Sequence, residues 1–237
     1  DANAGTTFNE AGSDRDFRVE SNNHTHALFV DASANSVGIG TAPDTTMILH
    51  VKDTAAGTMT KFESTDAGSA HGPTIELLRN SSSPADADEI GRINFNAKDS
   101  GGTTTVYTQI ENLIGDVTNG TEDGTMAFNT IAAGSLRARL TLRASEAIFN
   151  ENSFDTDFRV ESDSNANMLF VDAGNNRVGI GAAPSNPFEV NAGSGNAFIY
   201  TTGVTALVAQ ADAAGDTLIL QTTDTSATNG PNIKFRR

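Results

Sequence analysis

The chain has 237 residues, with 15 Lys and Arg against 30 Asp and Glu, a formal net charge of −15, and neither Cys nor Trp. No basic cluster precedes Lys234-Phe235-Arg236-Arg237, which excludes nucleic acid as a partner, because binding it takes cations that displace counterions from phosphates; anionic membrane surfaces are disfavoured for the same reason. The lack of Cys removes disulfide frameworks and thiolate metal sites, and no stretch approaches the roughly 18 apolar residues that span a bilayer, so membrane insertion is not expected.

Residues 1–13 are small, polar and without period, and read as a linker or the tail of a preceding unit. The stretch that follows is written twice. Residues 16–43 (DFRVESNNHTHALFVDASANSVGIGTAP) and 157–184 (DFRVESDSNANMLFVDAGNNRVGIGAAP) match at 18 of 28 positions, without a gap, at a constant offset of 141. Such a register marks an internal repeat. Within it Phe17 and Val19 alternate with Arg18 and Glu20, the period of a half-buried strand. Residues 21–25 predict a turn, Leu28-Phe29-Val30 a second strand, and residues 31–36 another turn. Val37-Gly38-Ile39-Gly40 predicts a short strand, bulky on one face and bare on the other, which suits a site where another backbone approaches closely. Ile48, Leu49 and Val51 close the unit. Pro43 is followed by two more residues before its closing strand than Pro184 is before Phe188 and Val190, so the exits of the two copies are expected to differ. A unit of this size cannot bury its apolar face alone; neighbouring repeats or neighbouring chains must cover it.

Between the copies, strands are predicted at residues 74–78, 90–97, 104–113, 125–131 and 136–142, with turns at 81–88, 98–102, 119–124 and 132–135. That spacing implies an antiparallel meander or small sandwich, and no segment has helical period. Residues 230–237 (GPNIKFRR) repeat the opening of this module at 72–79 (GPTIELLR). The chain thus divides into a linker (1–13), a repeat (14–52), a β-module (53–149), a second repeat (150–192) and the start of a second module (193–237). A start at Asp1 and an end inside a strand-like segment read as an excerpt of a longer polypeptide.

The pattern F-R-V-x-S…L-F-V-D-A-x-x-N-x-V-G-I-G-x-x-x-P…L-x-V resembles the short repeats of bacteriophage tail and side fibres, and the triple β-spiral of viral fibre shafts. The resemblance covers about residues 14–52 and 155–192; SSSPADADEIGRINF and TNGTEDGTMAF in the intervening module are similar to the β-modules between shaft repeats. It implies an all-β, elongated homotrimer in which shaft repeats alternate with small antiparallel modules. The implied role is a structural fibre segment of a virion, reaching toward a bacterial host. Other virion proteins and a host surface glycan or receptor are its implied partners.

Chemistry is sparse in the sequence. Gly38-Ile39-Gly40 and Gly179-Ile180-Gly181 lack the third glycine of a dinucleotide fingerprint, and Pro43 and Pro184 stand where its helix would begin. His24 and His26 are the weak candidates for a metal: in an extended segment both project to one face, and a threefold axis of the kind the resemblance implies would gather six imidazoles. The second copy has Asn165 and Asn167 there, which favours a polar turn and no metal. Asp86, Asp88, Glu89, Asp116, Glu122 and Asp123 lie in turn-rich segments without the facing carboxylate pair of a glycosidase. Neither a calcium loop nor a Gly-x-Ser-x-Gly elbow is present. No catalytic residue and no cofactor are therefore assigned, and the chain is read as a non-enzyme. A tailspike that binds or degrades glycan, or a cellular surface filament or adhesin, is the alternative. Arg18 and Arg159 are expected to pair with Asp31 or Asp172 on a neighbouring strand or chain and to set register.

Overall fold

The computed structural model describes residues 7–9, 11–69 and 71–191. The repeated module start at 193–237, and parts of the linker at 1–13, lie outside the described residues. Every regular element among those residues is a β-strand. The chain divides into two compact units, Asp1–Glu76 and Leu77–Arg237, so one boundary falls inside the segment 53–149.

The first unit holds one four-stranded sheet: β1 (Phe17–Ser21), β2 (His24–Asp31), β3 (Ser36–Ile39) and β4 (Leu49–Val51), in sequential order. The first two pairings are antiparallel and the last is parallel. The turn expected at 21–25 is shorter: Ser21 pairs with His24, so Asn22 and Asn23 alone reverse the chain. Turn chemistry explains the motif's invariant polar residues. Asp31 Oδ1 accepts the Ala34 N–H at 2.9 Å, Asn35 takes a left-handed φ of 53°, and Asp16 Oδ1 accepts the Ala32 N–H at 3.1 Å. In the second copy Asp172 accepts the Asn175 N–H at 2.9 Å, Asn176 has φ 55°, and Asp157 accepts the Ala173 N–H at 3.0 Å.

Parallel neighbours usually need a crossover of a dozen or more residues. Here β3 and β4 are joined by residues 40–48 alone. The connection is that short because its backbone folds straight back over β3. A Cβ on Gly38 would overlap the Thr41 carbonyl oxygen and press on the Pro43 ring; one on Gly40, at φ 74°, would overlap the Lys52 carbonyl. Gly179 stands in the same way beneath Ala182 and Pro184, and Gly181, at φ 84°, beneath Asn191. The close backbone approach expected at these glycines is thus made by the same chain.

The second unit carries β5 (Glu89–Lys98), β6 (Thr104–Asp116), β7 (Asp123–Ala132), β8 (Ser135–Leu142) and β9 (Ala147–Phe149) in one antiparallel meander. It then carries the second repeat as β10 (Phe158–Val160), β11 (Leu169–Asp172), β12 (Arg177–Ile180) and β13 (Phe188–Val190). The sequence marks β5 to β8; it misses β9, which is only three residues long. The strand expected at 74–78 does not form. Its alternation is real, but it makes side-chain contacts in place of a ladder: Leu77 packs against Gly91, and Arg79 donates to the Glu89 carbonyl at 2.9 Å.

The expected difference between the two exits is absent from the ladders. Val37 and Lys52 bond Ile48 and Ile39 at 2.8 and 3.0 Å; Val178 and Asn191 bond Pro187 and Ile180 at 2.9 and 2.8 Å. The two extra residues are taken up within the loop. The N–H of Asp44 is accepted by His50 Nδ1 at 3.2 Å, and that of the matching Ser185 by Glu189 at 2.8 Å.

Upstream of the sequence repeat the two copies also agree. Asn9 and Asn150 have φ of 62° and 64°, and Gly12 and Ser153 of 59° and 54°. Ser13 N–H donates to Asn9 Oδ1 at 3.1 Å, and Phe154 N–H to Asn150 Oδ1 at 3.0 Å. Phe8 lies 5.0 Å from Phe17, and Phe149 lies 4.6 Å from Phe158. The structural unit therefore begins at Phe8, inside the segment read as a linker, and at Phe149, the last residue of the segment read as the β-module.

Because carbonyl oxygen occupies the place of the missing Cβ, Gly38→Ala and Gly179→Ala are each expected to destabilise the protein by about 3 kcal/mol or more. Gly124→Ala, which meets no atom within 4 Å, is expected to stay within about 0.5 kcal/mol. Urea unfolding followed by far-UV circular dichroism compares the three.

Candidate functional site

Ladder register assigns every strand residue to a face. In the first repeat one face consists of the rows Phe17–Val30–Val37–Leu49 and Val19–Leu28–Ile39–Val51. In the second it consists of Phe158–Val171–Val178–Phe188 and Val160–Leu169–Ile180–Val190. All of these side chains are apolar. The opposite face holds Arg18, Phe29, Gly38 and His50, and in the second copy Arg159, Phe170, Gly179 and Glu189.

The exit loop covers that opposite face. Pro43 and Gly38 are buried, as are Pro184 and Gly179, and Phe29 is 9% exposed. The all-apolar face is the open one: Leu49 is 58% exposed, Phe188 62%, and Val19, Val160, Ile39 and Ile180 are all exposed as well. Globular sheets do the reverse, turning apolar residues inward and polar ones out.

The five-stranded sheet has the same inversion. Ile93, Ile110, Phe128, Leu140 and Phe149 form one row across all five strands, with Met126 and Leu142 beside it. Ile93 is 48% and Phe149 53% exposed. On the other face Gln109 and Asn129 are buried. They form an amide ladder, in which Asn129 Nδ2 donates to Gln109 Oε1 and Gln109 Nε2 to Asn94 Oδ1, each at 2.9 Å. Asn129 also donates to Glu111 at 3.3 Å, and Glu111 pairs with Arg92 at 3.1 Å. A shallow groove of about 350 Å³ runs over this ladder, floored by Ala127 and Ala138 and flanked by Asn152. The sequence shows the apolar rows as alternation; the amide ladder assembles three strands and has no local signal.

His24 and His26 begin β2. His24 Nδ1 accepts the His26 N–H at 3.2 Å, His26 Nδ1 lies 2.9 Å from Thr25 Oγ1, and the His26 ring meets Phe29 edge-on at 5.0 Å. One nitrogen of each ring is thus spent locally. At the matching position Asn165 Nδ2 donates to the Gly181 carbonyl at 3.0 Å and Asn165 Oδ1 accepts the Asn167 N–H at 2.7 Å, in a connection where the hairpin ladder of the first copy is not formed. Among the described residues no three His, Cys, Asp or Glu side chains stand close enough to hold a metal ion.

The acidic residues serve turns. Asp86 accepts the Val117 N–H at 2.9 Å, Asp88 pairs with Arg79 at 3.0 Å, and Glu89 pairs with Arg92. The Thr118 hydroxyl and then its N–H hold Asp116 below the usual carboxylate range, and the backbone N–H groups of Glu122 itself and Gly120 do the same for Glu122. A general acid needs a carboxyl shifted the other way. Within the chain Arg18 and Arg159 pair not with Asp31 or Asp172 but with Glu20 on the same strand, at 2.7 Å, and with Glu161 just past the end of β10, at 2.6 Å. Both aspartates are occupied in turns, and an i+2 partner on the same face is nearer.

No model of a known protein family matches the chain, and no curated protein matches it in sequence.

The Ala34 N–H, then the Ser33 hydroxyl, lowers Asp31 below its ordinary value; the Asn175 side chain, then its N–H, lowers Asp172. A carboxylate depressed in the folded state contributes stability above its unfolded pKa and loses it as pH falls through the folded one. The melting temperature is therefore expected to be level above about pH 5 and to fall below about pH 4. Asp31→Asn with Asp172→Asn is expected to flatten part of that acid limb, measured by scanning calorimetry at stepped pH.

Proposed function

We propose that this chain is a structural segment of a fibre in which three identical copies share one apolar core. The observation that carries it is the open all-apolar face, present at matching positions in both repeats and again in the meander. A Leu- or Phe-sized side chain gains about 1.5–3 kcal/mol on full burial. With Leu49 and Phe188 more than half exposed, roughly 1 kcal/mol or more remains to be gained at each such position. Several such positions per chain and three chains give an assembly its driving force, and a net charge of −15 keeps a large particle from aggregating further.

The residue pattern of the repeats supports the finer reading: triple β-spiral-like shaft repeats alternating with β-modules, in a virion tail or side fibre that extends toward a bacterial host. Assembled through the apolar faces, each chain turns its glycine-bearing faces and the amide ladder outward, toward other virion proteins or a host surface.

Leu49→Glu with Phe188→Glu puts a charge into each repeat's open face. The double variant is expected to sediment as a monomer with its strand content retained, at concentrations where the unaltered chain is assembled. A double variant that keeps the unaltered mass contradicts this use of the face.

Glycan binding is a second reading, favoured by the amide ladder and its groove, since amide side chains pair with sugar hydroxyls. Titration with neutral hexoses is expected to shift the side-chain amide resonances of Gln109 and Asn129 at millimolar concentration. Unmoved resonances remove this second reading and leave the structural one intact.

A further inference from the structure

The turn that opens each structural unit has the same φ pattern and the same Asn side-chain bonds to the residue four on in both copies, yet among the described residues only one of the two is occupied. In the second copy β8 lies on it. The Asn150 N–H donates to the Arg139 carbonyl at 3.1 Å, the Arg139 guanidinium donates to Thr156 Oγ1 at 2.7 Å, and the Arg137 guanidinium sits 3.6 Å from the centre of the Phe154 ring. Phe149 continues from this turn into the sheet and pairs with Leu140.

In the first copy the turn has the same φ angles, the same Asn9–Ser13 bonds and the same aromatic pair. Among the described residues the Asn9 N–H has no partner, and Arg15 has no ion pair. An open cleft of about 1010 Å³ borders the turn, lined among others by Phe8, Asn9, Arg15, Phe17, Val30 and Asn35.

We propose that residues 8, 9 and 11–16 form a docking cradle for the penultimate strand of a β-module that lies ahead of them in the polypeptide, and that Arg15 receives a carboxylate from that strand. The occupant is defined by the second copy: a strand that offers a backbone carbonyl to the Asn9 N–H and leads into the Phe8 stack. Its side chains differ from those of β8. Ser13 replaces Phe154 and removes the ring that Arg137 covers; Arg15 replaces Thr156 and would repel a guanidinium placed where Arg139 lies. An Asp or Glu at the Arg139-equivalent position satisfies Arg15 by a charge-assisted pair. The contact is made within one polypeptide, so it stands or falls separately from assembly into trimers.

The test adds a second copy of residues 77–147 directly ahead of Thr7, in place of residues 1–6, so that the new junction reproduces the natural one at residues 147–148. Two forms are made, one with Arg139 unchanged in the added copy and one with Arg139→Glu there. Amide hydrogen exchange is read at Asn9, with Asn150 in the same molecule as the internal standard for an occupied cradle. Exchange at Asn9 is expected to slow at least tenfold on fusion, more in the Arg139→Glu form, and Arg15→Glu is expected to reverse the order of the two forms. An added module whose sheet amides are protected while Asn9 exchanges as before overturns the proposal. So does an added module that gains no protection in either form.

Discussion

Each repeat depends on a backbone carbonyl that rests where a side chain would otherwise be. The Thr41 carbonyl over Gly38, and the Ala182 carbonyl over Gly179, let the exit loop lie flat on β3 and β12. From that contact the rest follows. The loop brings β4 and β13 back in parallel register after a crossover too short for a helix. It buries Pro43 and Pro184, and it closes one face of each sheet with the chain's own backbone. The two loops differ in length by two residues and still end in the same ladder, so the constraint lies in the glycine contact and not in the loop.

Closing one face with backbone decides what the other face does. The loop uses the side that carries Gly, His or Glu and a Phe (Phe29 buried, Phe170 half-buried), and leaves all of the apolar rows on the side it cannot reach. Among the described residues no further element covers them. The meander meets the same difficulty in another way: Gln109 and Asn129 of its amide ladder are buried, while Ile93 and Phe149, at the two ends of the apolar row, are exposed. Three sheets in one chain, each inverted relative to an ordinary globular protein, are what a subunit of a shared-core assembly needs. An isolated monomer would have to keep these surfaces in water.

Much of this was legible in the residues because it is local. Period-two alternation marks β5 to β8, and the Gly-x-Gly before Pro43 foretells a close backbone approach. The duplicated stretch foretells two sheets of the same design. What stayed hidden depends on distance. Residues 74–78 alternate like a strand, but a ladder needs a free neighbouring edge, and Leu77 and Arg79 meet β5 through side chains. The Phe8–Asn9 turn was legible but easily passed over: residues 8–16 (FNEAGSDRD) match 149–157 (FNENSFDTD) at five of nine positions, but the run breaks where a left-handed φ is met once by Gly12 and once by Ser153. The partner of Arg18 is two residues away on its own strand, whereas the sequence pointed across the turn to Asp31. His24 and His26 stand in the sequence as weak metal candidates because Asn165 and Asn167 replace them in the second copy; in the structure both His24 and Asn165 bond backbone groups.

The most direct measurement is the mass of the purified, unaltered chain in solution, by sedimentation equilibrium over a range of concentrations. A shared core among three copies predicts a species of three times the 24.7 kDa chain, persisting to low concentration. A stable, folded monomer of 24.7 kDa with its apolar faces in water would contradict it.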